Sequence, residues 1–513
     1  MAEGLSAFLD TLDFDRVNRA AHGKDYAHEP IYDNELSVAD LEKKLKGMPF
    51  TETSKNAFLF FMYGKGLNEN ELKTVFSGRE DLFAQMSASH LLVAETRGDE
   101  VVYRLNDLSL TSQKLPNKET VYLFAELPKR LRSIQGLDPT AQISSTSYYL
   151  LNRLMDDYKA GVKRSGVMAD FGAGTGIQAI ALLKMYPEIR QAISLEIDGP
   201  SMNLNRLNAL MNGVADRVQV LDNMNPENLK NALNGRELDF AVSNPPFNIV
   251  PHEYEAQFTH FGYGGDHGIE ITKIFLNQAL PLLKKGGDFV YYSFLAKGEK
   301  EYFVTRFLKD NFKGLTLGYD NIDPNNLRYF DLPLYGKAIA EFMIREGLVS
   351  GDAKTVGKDI EDKLRKAGVR SLEEKIGRIV KRGDNGPVRE MESLKPLRID
   401  WEEIARRAEP RPGGVFIEMH TVPRFEMGGE RITRLLPGIR ETIQEHKGGV
   451  YLERHMMGGE SSRRLDRDLG VDFKKTLEAL KKDPKFLERC QEMPACAELL
   501  KPKPSQPSPA PGK

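Results

Sequence analysis

The alternation of hydrophobic and polar positions changes its period near residue 166. Short apolar runs then alternate with stretches whose apolar residues recur at helical spacing. The runs are VMADFG, AISLEI, RVQVLD, DFAVSN and DFVYYSF, and the helical stretches include TGIQAIALLKMY, GPSMNLNRLNALMNG and IEITKIFLNQALPLLKK. Strands that alternate with helices form a parallel sheet covered on both faces. This part of the chain is therefore predicted to be a doubly wound α/β domain.

The region before it has a different pattern. SVADLEKKLKG, TSKNAFLFFMYGKG and NENELKTVFSG predict three helices, the first capped by its serine. HLLVAET and EVVYRLN predict two strands joined at Arg97-Gly98-Asp99. Three helices followed by a hairpin indicate a winged-helix-like domain, which either binds nucleic acid or serves as a packing or dimerisation module.

Beyond about Glu346 the chain is highly charged. KDIEDKLRKAG and SLEEKIGRIVKRG have a helical pattern, GGVFIEMHTV and GGVYLERHMM suggest short strands, and KPKPSQPSPAPGK is typical of a disordered tail. The whole pattern predicts a lead segment at 1–36, the winged-helix-like domain at 37–140, the α/β domain at 141–346, an α+β extension of unknown role at 347–500 and the tail at 501–513.

Composition narrows the functional classes. Of 513 residues, 40% are hydrophobic and 28% charged, which is typical of globular proteins, and no apolar run is long enough to predict a membrane span. Two cysteines and an acidic first segment favour a cytoplasmic protein without a disulfide framework. A net charge of −2 gives no global attraction to nucleic acid. Any binding to nucleic acid must therefore depend on a local basic surface.

The candidate binding residues follow the predicted strands. Asp170-Phe171-Gly172-Ala173-Gly174-Thr175-Gly176 leads from a strand into a helix, and its glycines permit a tight turn and close approach of a ligand. Glu196, about 20 residues further on, is placed to accept both hydroxyls of a ribose. Asp222 ends the third strand near a possible adenine amino group, or is a plain loop residue. Asp198 suits a helix N-cap better than a ligand.

The fourth strand ends in Asn244-Pro245-Pro246-Phe247. Ligands bind at the carboxyl ends of strands in open parallel sheets. The two prolines fix the backbone so that Asn244 can accept hydrogen bonds from a planar amino or amide group, while Phe247 can stack on its plane. Methyl transfer to a nitrogen that is positioned in this way requires no acidic or basic catalytic residue. The alternative interpretation of this motif is that it only forms a rigid turn after a buried strand.

These motifs together resemble class I, Rossmann-like methyltransferases of the small-domain and HemK-like branch. The resemblance covers roughly residues 140 to 345 and rests on the glycine turn, Glu196 and the Asn-Pro-Pro-Phe motif. It implies S-adenosylmethionine as cofactor, with Asp170, Gly172, Gly174, Gly176, Glu196, Asp222 and Asn244 in the cofactor site, and Asn244, Pro245, Pro246 and Phe247 in the catalytic site. The preceding PTAQISSTSYYLLNRL is similar to the stretch that helps to bind cofactor in these enzymes, which makes Ser144 to Ser147 candidates.

The resemblance leaves the acceptor open. Gly264-Gly265-Asp266-His267-Gly268 is similar to a turn of HemK-type glutamine methyltransferases, which act on protein. Those enzymes usually carry tyrosine at the place of Phe247, whereas Asn-Pro-Pro-Phe is typical of enzymes that methylate guanine or adenine amino groups of RNA. Ribosomal RNA is therefore the favoured partner, a protein glutamine the alternative, and a non-catalytic cofactor-binding module the second alternative.

Two other groups of residues have weaker interpretations. His252, His260 and His267 lie near the predicted catalytic loop but match no zinc spacing, so no metal is expected. Lys129, Arg130 and Arg132 form a basic cluster that could contact phosphates, although such a run is more often a solvated face.

Overall fold

The computed structural model of the chain describes residues 2–22, 37–127, 142–258, 262–321, 329–330 and 332–390, and seven short strands between residues 409 and 464. The chain divides into two compact units, residues 1–393 and 394–513. In the described residues, no helix is both long and apolar enough to cross a bilayer. Lys129, Arg130, Arg132, His260 and the predicted tail lie outside the described residues.

The helices of the first unit are α1 (Ala2–Thr11), α2 (Phe14–His22), α3 (Val38–Leu45), α4 (Glu52–Tyr63), α5 (Glu69–Val75), α6 (Glu80–Ala88), α7 (Ser145–Lys159), α8 (Ile177–Met185), α9 (Gly199–Met211), α10 (Glu227–Leu233), α11 (Glu270–Leu282), α12 (Phe303–Asn311), α13 (Leu332–Arg345) and α14 (Ala353–Lys366).

Its strands are β1 (Leu67–Asn68), β2 (Leu92–Arg97), β3 (Glu100–Leu105), β4 (Leu108–Lys114), β5 (Thr120–Glu126), β6 (Gly166–Phe171), β7 (Ile189–Glu196), β8 (Val218–Asp222), β9 (Leu238–Ser243), β10 (Leu283–Lys297), β11 (Leu315–Asn321), β12 (Tyr329–Phe330), β13 (Ser371–Lys381) and β14 (Arg389–Glu390).

The first part of this unit contains the helices and hairpin expected from the sequence. Ser37 caps α3 in a reciprocal capping box with Asp40. β2 and β3 pair around the predicted turn, and β1 pairs with β3, so the small sheet has the order β1-β3-β2. An additional helix, α6, lies between the third predicted helix and the hairpin.

The lead segment packs into the same core as these helices. Phe14 of α2 contacts Phe58 and Phe61 of α4, with ring centroids 5.9 Å and 6.2 Å apart. Leu204 and Met211 of α9 belong to this apolar cluster as well. Burial of such side chains is the main favourable term in folding. The amino-terminal helices and the α/β domain are thus joined by a shared hydrophobic core.

The central sheet has the order β14-β11-β13-β10-β9-β6-β7-β8, with β12 paired to β13. The pairs β6 with β7, β6 with β9, β7 with β8 and β9 with β10 are all parallel. The five predicted strands and the α/β fold class are therefore confirmed. Because β6 lies between β7 and β9, the chain reverses its direction of winding there, and the ends of these strands form a cleft where ligands bind in such sheets.

The sequence prediction for SLEEKIGRIVKRG was wrong, because this segment forms β13 and not a helix. β13 is antiparallel to both β10 and β11 and lies between them. Its charged side chains have partners in the fold: Glu373 accepts a hydrogen bond from Tyr302, and Arg378 pairs with Asp157. Partners remote in sequence cannot be read from a local pattern. The boundary predicted at residue 346 thus falls within the unit that holds the sheet.

The structure contains the other helix and the short strands that the sequence predicts for the carboxyl-terminal part. All but the last two residues of KDIEDKLRKAG lie in α14, which begins after the N-cap Asp352. The second unit contains a sheet of order β15-β16-β19-β20-β21 and the pair β17-β18. Its strands are β15 (Glu409–Arg411), β16 (Gly414–Phe416), β17 (Phe425–Met427), β18 (Glu430–Ile432), β19 (Arg440–His446), β20 (Gly449–Met456) and β21 (Gly459–Arg464). The predicted short strands correspond to β16 and β20.

Candidate functional site

The glycine turn leaves β6 in a conformation that side chains rarely adopt. Gly172, Gly174 and Gly176 have φ values of +66°, +53° and +85°, in the left-handed region that favours glycine. A Cβ atom at Gly176 would lie 2.7 Å from Asn205 Oδ1, whereas one at Gly174 would meet nothing within 4 Å. Gly176 is thus required for both conformation and space, and the turn leaves Gly174 open to a ligand.

Glu196 holds this turn at the end of β7. Its Oε2 accepts a hydrogen bond from Gly174 N at 2.8 Å, and its Oε1 accepts from Ile197 N at 2.7 Å and Asp198 N at 3.1 Å. A carboxylate offers about four acceptor positions, so the half-buried side chain retains capacity for a ligand hydroxyl. Asp198 caps α9 by accepting from Ser201 N at 2.8 Å, as the sequence predicts.

Asp222 ends the neighbouring strand and is exposed. Its Oδ1 accepts from Met224 N at 2.8 Å, and Asp222 is the register partner of Glu196. Two apolar side chains that the sequence reasoning missed stand beside this acidic pair: Ile197 is 60% exposed and Met224 is 74% exposed. The sequence signal was their position one and two residues after a strand-ending acid. Large exposed apolar side chains suit a flat ligand ring.

Asp170 lies beneath the turn and faces the protein interior. It is buried, and its Oδ2 accepts from Ala179 N of α8 at 3.2 Å. Burial raises the pKa of Asp170 to about 8, with a further contribution from the negative charge of Glu196. The geometry gives this residue the role of fastening the turn to α8.

Asn244 presents an amide oxygen with an unused hydrogen-bonding capacity. Its Nδ2 donates to Thr146 Oγ1 at 3.1 Å and to Ser147 Oγ at 3.2 Å. Both hydroxyls belong to α7, in the stretch that the sequence marked out. Asn244 Oδ1 is buried, and the described residues offer it no hydrogen-bond partner. A buried acceptor without a partner is costly, so a donor from a ligand would stabilise this site.

Phe247 belongs to an aromatic cluster on one face of the sheet. Its ring stacks on Phe294 with centroids 5.4 Å apart and meets Tyr292 edge-on at 4.8 Å. Pro245 is buried, while Pro246 and Phe247 are half-buried. Such ring pairs have preferred geometries, and they fix the orientation of Phe247 next to Asn244.

The predicted glycine-rich turn packs directly on this motif. Gly264 N donates to Asn248 O at 2.9 Å, and Val250 N donates to Gly265 O at 3.2 Å. A Cβ atom at Gly264 would lie 2.8 Å from the carbonyl carbon of Phe247, and one at Gly268 would lie 2.8 Å from its carbonyl oxygen. The two glycines therefore allow two backbone segments to pack at close distance.

The histidines of this region are engaged in local contacts. His267 Nε2 lies 3.0 Å from Ala367 O, and its ring stacks on Phe303 at 3.7 Å. The side chain of His252 is 70% exposed and lies near Glu253 and Asp266. Within the described residues, no group of three or more potential ligands is arranged to hold a metal ion.

A row of asparagines on α9 joins the glycine turn to the amino-terminal part of the unit. Asn208 Nδ2 donates to Thr175 O at 3.0 Å and to Phe124 O of β5 at 2.9 Å, and its Oδ1 accepts from Phe124 N at 2.7 Å. Asn212 makes the equivalent pair with Tyr122. The sequence reasoning missed these residues, because their partners lie on β5 and on the glycine turn, far from them in sequence.

Comparison with known proteins finds a similarity to methyltransferases over part of the chain. Residues 131–317 match the model of the methyltransferase small domain. The ribosomal protein L11 methyltransferase of Haemophilus influenzae is 45% identical over 62 residues, which is 12% of this chain and 20% of that protein. The ribosomal RNA small subunit methyltransferase C of Pseudomonas entomophila is 32% identical over 104 residues, 20% of this chain and 29% of that protein. The chain thus spans less than a third of these relatives.

Among solved structures, an O-methyltransferase from Bacillus cereus in complex with SAH is 14% identical, with a TM-score of 0.24. The match covers 47% of this chain and 84% of that one.

Proposed function

We propose that this chain is an S-adenosylmethionine-dependent N-methyltransferase that acts on a planar amino nitrogen. The acceptor that we propose is a base amino group of ribosomal RNA. The observation that carries the proposal is the buried, unpartnered Oδ1 of Asn244 at the carboxyl end of β9. The family match over residues 131–317 supports methyl transfer. Asn244, Pro245, Pro246 and Phe247 form the proposed acceptor site.

The residues around the glycine turn fit the proposed cofactor. Glu196 would accept the ribose hydroxyls, and Gly174 lies open beside it for close approach. Asp222 would accept from the adenine amino group, while Ile197 and Met224 would cover the ring with their exposed apolar side chains. When bound, S-adenosylmethionine supplies an electrophilic methyl group on a positively charged sulfur.

Asn244 would act on the acceptor nitrogen. Thr146 and Ser147 hold its Nδ2, which leaves Oδ1 available as an acceptor. A hydrogen bond from the acceptor amine to Oδ1 would turn the nitrogen lone pair toward the methyl group and stabilise the positive charge that develops as the new bond forms. One proton of the amine is afterwards released to solvent. Phe247 would hold the plane of the acceptor by stacking.

RNA is the favoured acceptor for two reasons. Phe247 presents an apolar ring at the acceptor side, and flat bases stack on such rings. One relative, 32% identical over 104 residues, is named as a ribosomal RNA methyltransferase. A protein nitrogen is the second candidate, because other relatives are named as ribosomal protein L11 methyltransferases.

The winged-helix-like assignment of residues 37–140, of which the structure describes 37–127, is part of this proposal. It is supported by the three predicted helices, α3, α4 and α5, and by the sheet order β1-β3-β2. Helix α6, which precedes the hairpin, carries Glu80 and Asp81 in its first turn. Negative charges there disfavour contact with phosphates, so we propose a packing role for this module and not base readout.

The test is the fate of labelled methyl groups. The purified chain is incubated with S-adenosylmethionine carrying a tritiated methyl group and with either ribosomal RNA transcribed in vitro or unmodified ribosomal proteins. We expect the label in RNA. Mass spectrometry should locate the methyl group on a base amino group. Label in protein alone would overturn the RNA assignment. Cofactor binding by calorimetry without transfer to either would indicate a non-catalytic module.

A further inference from the structure

A buried carboxylate lies behind the acceptor site on a strand outside the matched segment. Glu374 belongs to β13 and is 4% exposed. It accepts a hydrogen bond from the hydroxyl of Tyr292 on β10. In the antiparallel pair of these strands, Glu374 is opposite Phe294 and Tyr292 is opposite Ile376. Glu374 and Tyr292 are thus diagonal neighbours on one face of the sheet.

This face carries the acceptor motif. Tyr292 meets the ring of Phe247 edge-on with centroids 4.8 Å apart, and Phe294 stacks on Phe247 from the same strand. The rings of Tyr149 and Tyr292 stack at 6.3 Å. Phe247 therefore rests on a ring whose hydroxyl is tied to Glu374.

We infer that Glu374 is a positioning residue for methyl transfer: through its hydrogen bond it fixes the ring of Tyr292, which in turn fixes the plane of Phe247. A buried hydrogen bond to a carboxylate is stronger than a neutral one, so it restricts the ring more than packing alone. The inference rests on the proposed role of Phe247 in orienting the acceptor. It assigns a catalytic contribution to residues beyond the segment that matches the methyltransferase family.

The chain contains a matched control on the same strand. Glu373 accepts a hydrogen bond from the Tyr302 hydroxyl at 2.8 Å. Successive residues of a strand point to opposite faces, and Glu373 is opposite Leu295, which belongs to the apolar cluster on the other side of the sheet. Both pairs join a carboxylate of β13 to a tyrosine. Only the Glu374 pair adjoins Phe247.

The first arm of the test is kinetic and compares Glu374→Gln and Tyr292→Phe with Glu373→Gln and Tyr302→Phe. With ribosomal RNA transcribed in vitro as acceptor, the first two variants are expected to lower kcat about tenfold, while KM for RNA and Kd for S-adenosylmethionine change less than about twofold. The control variants should retain kcat. An equal loss of kcat in both pairs of variants would show that Glu374 has only a structural role, and it would overturn the inference.

The second arm does not depend on activity. 4-Fluorophenylalanine is introduced at position 247, and the ¹⁹F resonance is compared in the otherwise unmodified chain, Glu374→Gln and Glu373→Gln. A shifted or broadened resonance in Glu374→Gln alone supports the inference, and an unchanged resonance overturns it. Absence of methyl transfer by the unmodified chain would contradict the proposed function, whereas this arm would still decide whether Glu374 positions Phe247.

Discussion

Glu196 and Asp222 are register partners at the ends of the parallel strands β7 and β8. The two carboxylates stand on one edge of the sheet, beside the glycine turn and the exposed side chains of Ile197 and Met224. Parallel pairing brings together acids that are separated by a helix in sequence. This arrangement provides polar acceptors and apolar surface in one place, as a nucleoside requires.

The first prediction concerns Glu196. Glu196→Gln should raise Kd for S-adenosylmethionine about tenfold or more, because a hydrogen bond to a charged group contributes about 1.5–3 kcal/mol. Calorimetry measures this change directly. The matched control is Asp198→Asn, two residues away, since asparagine also caps a helix and should preserve Kd. Similar losses in both variants would contradict the assignment of Glu196.

The second prediction concerns Gly176. Gly176→Ala combines a left-handed conformation with a contact of 2.7 Å to Asn205 Oδ1, so it should weaken cofactor binding and lower stability. The left-handed conformation alone costs about 1–2 kcal/mol. Gly235→Ala is the control, because Gly235 has φ +77° and nothing within 4 Å. It should lower the unfolding midpoint but leave cofactor Kd unchanged. Unaltered cofactor binding by Gly176→Ala would refute this account of the turn.

The third prediction concerns a buried ionic network that ties α7 to β13. Asp157 is 1% exposed and lies 2.9 Å from Arg153 and 3.1 Å from Arg164, with Arg378 in contact as well. Removing one partner of a buried pair costs about 3–5 kcal/mol. Asp157→Asn should therefore lower the midpoint of chemical denaturation strongly. Asp13→Asn, which breaks an exposed pair with Arg16, should have little effect.

The same network predicts a pH dependence. Burial opposes ionisation of Asp157, but Arg378, Arg153 and Arg164 outweigh it and hold its pKa below the ordinary value of 3.8. A lowered folded pKa contributes stability that is full above the unfolded value and is lost as pH falls through the folded value. The difference in stability between the unmodified chain and Asp157→Asn should shrink as pH falls below 3.8. A difference independent of pH would exclude this explanation.

The sequence predicted the parts of the fold whose pattern is local. Strands β6 and β9 are apolar runs buried between helices, so their residues alone reveal them. β13 escaped prediction because charged residues on it find partners on other elements, as Glu373 does with Tyr302 and Arg378 does with Asp157. Gly377 of β13 lies against Tyr291, where a Cβ atom would be 2.3 Å from a ring carbon. These contacts of β13 exist only in the folded protein, so a local sequence pattern does not reveal them.

In the candidate site, too, a local sequence pattern indicates some residues and not others. Glycines and strand-ending polar residues indicated Gly174, Glu196 and Asn244, because their positions relative to the strands are fixed by sequence. Glu374 and Asn208 could not be found in this way. The first acts through a neighbouring strand and the second through a helix face, so both depend on tertiary contacts.

In the proposed reaction, Asn244 Oδ1 accepts a hydrogen bond from the nitrogen that is methylated. The most direct measurement is the single-turnover rate of methyl transfer to ribosomal RNA by Asn244→Ala, with calorimetric Kd for S-adenosylmethionine measured on the same sample. Asn311→Ala, which removes an exposed amide from α12, is the control. Loss of one such acceptor should lower the rate about a hundredfold or more while Kd stays within about twofold. A rate equal to that of Asn311→Ala, with cofactor binding intact, would contradict this role of Asn244.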